Sequence, residues 1–125
     1  MERRVLGTSR GSFSLGITVT GGRHVYVSGC VSSDHDGRIV GRGDVGAQSR
    51  QAFANMAAVL AEAGGTLADV VKLTAFVVPM DRYREYAAVR AELFAGHFPA
   101  SSTVGVTVLA DPDYLIEIEA VAVVG

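Results

Sequence analysis

Residues 44–78, DVGAQSRQAFANMAAVLAEAGGTLADVVKLTAFVV, change period halfway along, and that change decides the fold class. In the first half Val45, Gln48, Ala52, Met56, Val59, Leu60 and Ala63 recur at helical spacing. Asp44 offers an N-cap, and Gly64-Gly65 ends the helix. The second half, DVVKLTAFVV, is a β-branched run so continuously apolar that it predicts a strand in the middle of a sheet covered on both faces. Pro79 stops it.

Working outward, the spacing predicts a second helix from about Asp81 to Ala95, with Tyr83, Tyr86, Val89 and Leu93 or Phe94 inward and Gly96 as breaker. Residues 97–124 read as two strands joined at the turn ADPD, residues 110–113. Upstream, SLGITVTGGRHVYVSGC (residues 14–30) predicts two strands in a hairpin around Gly21-Gly22. A turn at Asp36-Gly37 and a brief strand at RIV, residues 38–40, lead to the first helix. The predicted order is strands, helix, strand, helix, two strands: an α+β fold with one mixed sheet and two helices packed on one face. No linker or repeat divides the chain, so residues 1–125 are expected to form one domain.

Hydrophobic residues make up 49% of the 125 and charged residues only 19%, little polar cover for so small a domain. Two helices cover only one sheet face, so self-association is expected to cover the other. Alternation in the last strand puts Glu117 and Glu119 with Val121 and Val123 on one side, and Ile116, Ile118, Ala120, Ala122 and Val124 on the other. The glutamate side therefore faces water or a site. A net charge of −2 without a basic cluster argues against nucleic acid as partner. No apolar run is long enough for a membrane span or signal peptide, and the single cysteine, Cys30, can form no internal disulfide. A cytoplasmic protein with no membrane partner is expected.

Several motifs carry less chemistry than they promise. GRGDVG, residues 41–46, matches the G-x-G-x-x-G fingerprint literally, but Asp44 would stand where a pyrophosphate must sit. It reads as a glycine-rich entry to a capped helix. His24, His35 and His97 are too scattered for a local metal site, and SDHDG reads as a solvated turn; neither metal nor cofactor is expected. Ser28, Gly29 and Cys30 end a strand where backbone groups become free to meet a ligand, although a buried inert thiol is the plainer reading of Cys30. Ser101, Ser102 and Thr103 open a strand with no histidine or lysine near in sequence to act as base.

VYVSG, residues 51–83 (QAFANMAAVLAEAGGTLADVVKLTAFVVPMDRY), FPASSTV and IEIEAVAV together resemble the Rid family, also called YjgF-like, of enamine and imine deaminases. The resemblance runs over nearly the whole chain. It implies a chorismate-mutase-like fold, a homotrimer, and a pocket for a small-molecule substrate at each subunit interface. In the deaminases an arginine in F-P-A-R-S holds the carboxylate of a 2-imino acid, and a glutamate in IEIEA places the attacking water. Glu117 matches that glutamate. Ser28, Gly29, Cys30, Ser101 and Thr103 are expected to bind the substrate.

This chain departs from the pattern at the arginine, where Ser101 stands. The tyrosine of the N-terminal P-Y-S pattern has no counterpart, Cys30 replaces a glutamine, and Ala87 replaces the asparagine of the second helix. Losing one partner of a buried bidentate pair typically costs about 2–5 kcal/mol, so efficient deamination of 2-imino acids is not expected. Arg23 and Arg90 are the arginines able to bring charge from another direction, and the sequence places neither. Two readings follow: hydrolysis or tautomerisation of a small imine or enamine, or a non-catalytic trimer that binds a metabolite or partner. A ribonuclease reading finds no support in the acidic balance.

Overall fold

Two helices lie across one face of a four-stranded mixed sheet in the computed structural model, which describes residues 1–125. The strands are β1 (Glu2–Leu6), β2 (Gly16–Thr20), β3 (Arg23–Cys30), β4 (Val70–Val77), β5 (Ala100–Gly105) and β6 (Ile116–Val124). The helices are α1 (Val45–Glu62) and α2 (Tyr83–Leu93). The main sheet runs β3-β6-β4-β5, antiparallel except for the parallel β4–β5 pair, so β4 is central as its apolar run predicts.

Three details differ from expectation. The polar lead is itself a strand, β1, which takes β2 as its partner, while β3 pairs with β6 from Arg23↔Val124 onward. Gly21-Gly22 therefore turns the chain between two sheets and closes no hairpin. Partner choice is decided by burial at long range, which a local turn signal does not report. RIV contributes only the isolated bridge Ser33↔Ile39. On α1, Val59 is exposed, and Phe53 with Ser49 joins the buried stripe of Val45, Gln48, Ala52, Met56 and Leu60.

The ends of α1 follow their local chemistry. Asp44 accepts a hydrogen bond from Ala47 N at 2.9 Å. Gly64, at φ +78°, reverses the chain so that its own N–H reaches Ala61 O and that of Gly65 reaches Leu60 O. The core lies between helices and sheet. Phe53 stacks on Tyr86 at 6.1 Å and meets Phe94 edge-on at 5.2 Å; Phe94, not the exposed Leu93, completes the stripe of α2. From the sheet, Leu73, Ala75, Val77, Ile116, Ile118, Ala120 and Ala122 point into this layer.

The opposite sheet face has no such cover. Tyr26 is 74% exposed and Val104 44%, with Phe76 and Val121 half-buried between them. Glu117 shares this face: its register partner on β4 is Phe76, which pairs in turn with Val104.

Candidate functional site

A β-bulge builds the first part of the site. Val27 pairs with Ala120 and Cys30 with Ile118, so Ser28 and Gly29 together oppose the single residue Glu119. The extra residue bends β3 and brings Gly29 against Glu117. A Cβ at Gly29 would lie 2.7 Å from Glu117 Cδ and 3.1 Å from Oε1, so only glycine admits the carboxylate here. Gly29 and Glu117 are thus brought together; Ser28 and Cys30 flank them on the bulged strand, with Cys30, the partner of core-facing Ile118, turned toward the helix side.

Cys30 packs half-buried against the core and donates its thiol to Ser28 O at 3.4 Å. Burial raises its pKa above the ordinary thiol value, and the charge of Glu117 raises it further. Both favour the protonated thiol, a weak nucleophile.

Amides on α1 hold this region in place. Asn55 donates from Nδ2 to Val31 O (2.9 Å) and Ser33 O (2.8 Å), the carbonyls just past Cys30, and Gln51 donates to Asn55 Oδ1 at 2.9 Å. Fully buried Gln48 donates to Gly41 O at 3.2 Å and Asp113 O at 2.9 Å, and accepts from Leu115 N at 2.8 Å. Leu115 leads into β6, so Gln48 holds the point where the strand of Glu117 begins, at Ile116. In the sequence Gln48 is the polar member of the helical stripe, which is the signal for such a role, whereas Asn55 lies within residues 51–83 with no local signal of its own.

Ser101 and Thr103 lie elsewhere in the chain. Their partners on β4 are Leu73 and Ala75, which face the helices, whereas Glu117 pairs with Phe76 on the open face. Because register partners share a face, these hydroxyls and the Glu117 carboxylate occupy opposite sides of the sheet, two strands apart. Around Ser101 gathers the end of the N-terminal segment: Ser14 N donates to Pro99 O at 2.9 Å and its hydroxyl to Phe98 O at 2.5 Å. Arg90 of α2 reaches the same point. Its Nη1 donates to Ser101 Oγ at 3.3 Å, Nε to Ser12 Oγ at 3.1 Å and Nη2 to the Tyr83 hydroxyl at 3.1 Å.

The remaining candidates separate cleanly. Arg23 donates to Ala63 O at 2.9 Å at the far end of α1. Ser102, on the open face, accepts from Lys72 Nζ at 2.9 Å, a residue distant in sequence but adjacent across the sheet. In SDHDG, Asp34 Oδ1 accepts from the backbone of Asp36 and Arg38, both at 2.9 Å, which makes the segment a turn. A cleft of about 220 Å³ beside Arg3, Asp69 and His97 contains none of the expected site residues. No helix is long and apolar enough to cross a membrane.

Two helices over one face of a mixed sheet define a class of small α+β proteins. Residues 7–124 match the family described as Endoribonuclease L-PSP. A RutC family protein of Pyrococcus abyssi is 34% identical over 127 residues, covering 98% of each chain. Among solved structures, YyfB of the conserved Rid protein family from Yersinia pestis has a TM-score of 0.89 at 36% identity, over 99% of this chain and 100% of its own. A member of the YjgF/YER057c/UK114 family from Mycobacterium tuberculosis has a TM-score of 0.74 at 34% identity, over 98% of this chain and 100% of its own. The chain belongs to the YjgF/Rid family, with its chorismate-mutase-like α+β fold.

Proposed function

We propose that residues 1–125 act as one domain of a cytoplasmic homotrimer that hydrolyses or tautomerises a small imine or enamine in a pocket between subunits. The observation that carries this reading is the Glu117 carboxylate, seated on the bare backbone of Gly29 where a substrate and a water can approach it. The uncovered apolar face supports assembly, and the separation of Glu117 from Ser101 and Thr103 supports a site completed by a second copy.

In the hydrolytic reaction Glu117 takes a proton from water as its oxygen bonds to the imine carbon. The C=N π electrons pass to nitrogen, which receives that proton back from Glu117. The resulting carbinolamine gives up its hydroxyl proton, through Glu117, to the amine; the oxygen lone pair forms the carbonyl as the C–N bond breaks, and ammonia leaves. Ser28 and Gly29 line the Glu117 side, with the protonated Cys30 thiol behind them against the core; Ser101 and Thr103 line the other. Serine at 101 leaves the usual carboxylate anchor missing from β5, so 2-imino acids are turned over poorly relative to a deaminase that has it. The alternative is a trimer that binds a metabolite without turning it over.

The test is a panel of enzymatically generated imines, compared between wild type and Glu117→Ala. A fall of about 100-fold or more for at least one imine is expected. Equal rates for every imine would sink the catalytic assignment, and stabilisation by a metabolite without turnover would favour the binding reading.

A further inference from the structure

Arg90 is only 3% exposed and has no acidic partner. The ion pairs of the subunit join His35 to Asp36, Arg42 to Asp113, Arg50 to Glu92 and Arg82 to Glu85, and none includes it. Its three hydrogen bonds all go to neutral hydroxyls, so of the five guanidinium N–H donors 5 − 3 = 2 have no protein acceptor. The rings of Tyr86, Phe13 and Tyr83 surround Cζ at 5.3, 5.6 and 5.9 Å. Ring faces and hydroxyls soften the burial of a cation but do not neutralise it.

A second orphan lies beside it. The Tyr86 hydroxyl is buried without a hydrogen-bond partner. Burial raises its pKa; Arg90 and Ser101 are near enough to oppose that rise, yet neither meets the hydroxyl in hydrogen-bonding geometry. A neutral phenol in this position is a free donor. Two unused N–H groups and one unused O–H thus belong to one cluster beside Ser101, and no carboxylate of the subunit pairs with Arg90.

We infer that Arg90, with Tyr83, Tyr86, Ser12 and Ser101, forms a binding site for the carboxylate of a small organic ligand. One positive charge in the second half of α2, where the helix dipole is unfavourable to anions, suits a monoanion better than a phosphate dianion. The planar fork suits a carboxylate. Where the family resemblance places a guanidinium on residue 101, here the guanidinium reaches that hydroxyl from α2, so the ligand is held in a different orientation. Ser12, Phe13, Tyr83 and Ser101 are each half-buried, so the rim of the cluster reaches solvent while Arg90 and Tyr86 lie beneath it. The inference deepens the proposed imine chemistry and rests on it only for the reacting end of the ligand.

The experiment is calorimetric titration of the full-length protein with sodium pyruvate, with pyruvamide as the uncharged isostere and sodium chloride as the ionic-strength control. Saturable binding of pyruvate and none of pyruvamide is expected. Arg90→Met removes an uncompensated buried charge at similar volume, so it should fold with an unchanged or higher Tm. It should lose pyruvate affinity by on the order of 30-fold or more. Arg90→Lys keeps charge without the fork and should fall between them, and it carries the comparison if Arg90→Met does not fold. Glu117→Gln should lose turnover while still binding pyruvate, which separates failure of this site from failure of the catalytic reading. The inference is overturned if pyruvate does not bind wild type or binds both Arg90 variants as tightly as it binds wild type. It is also overturned if Arg90→Met loses subunit assembly, because the counter-ion would then be a carboxylate of a second copy.

Discussion

At Gly29 the absence of one carbon atom decides where Glu117 can stand. The first atoms a new Cβ would meet are Cδ and Cγ of a side chain that can swing away, not backbone. Gly29→Ala should therefore displace Glu117 at little cost to the fold: Tm within a few degrees of wild type, with imine turnover reduced about tenfold or more. Unchanged turnover would mean that the carboxylate works from another position. Cys30 makes a separate prediction through pH. Its folded pKa lies above the ordinary thiol value, so less thiolate is present at any given pH below it. The midpoint of its alkylation rate by iodoacetamide should lie at higher pH than that of a free cysteine, and should move down in Glu117→Gln. Alternation along β6 was enough to put Glu117 on the open face. Nothing in the sequence announced that Arg90 would meet Ser101, because that contact depends on how α2 lies against an edge strand.

Among the elements, β6 owes its start to Gln48. Gln48→Leu leaves Gly41 O, Asp113 O and Leu115 N without their side-chain partner. A loss of about 2–4 kcal/mol in stability is expected from urea unfolding, since each stranded buried polar group costs about 1–3 kcal/mol. A loss under about 1 kcal/mol would mean that water replaces the amide. Helix periods, the Asp44 cap and the continuous apolar run of β4 were legible because each depends on near neighbours in the chain. The pairing of β1 with β2 was not, and neither was the bulge at Ser28-Gly29, because both depend on which distant strand arrives alongside. Arg90 did leave a trace: it falls between Val89 and Phe94 on an otherwise apolar stripe, and an arginine there must either be paired or have a use.

For the whole molecule, the open face and the split site make one account. Tyr26, Phe76, Val104 and Val121 form the uncovered apolar surface, and a charge there opposes burial against another copy. If the proposed trimer forms through this face, Val104→Lys should shift sedimentation from trimer toward monomer and reduce imine turnover with it; an intact assembly would place the interface elsewhere. The high apolar fraction pointed to such a surface, but composition could not say that Glu117 would stand on it with Ser101 and Arg90 on the far side. If one subunit supplies Glu117 and its neighbour supplies Arg90, two inactive proteins should repair each other. Equal amounts of Glu117→Gln and Arg90→Met, co-refolded into mixed trimers verified by native mass spectrometry, should regain turnover at about a quarter of the sites, the share that combines two intact halves. Mixed trimers no more active than either parent would contradict a site shared between subunits.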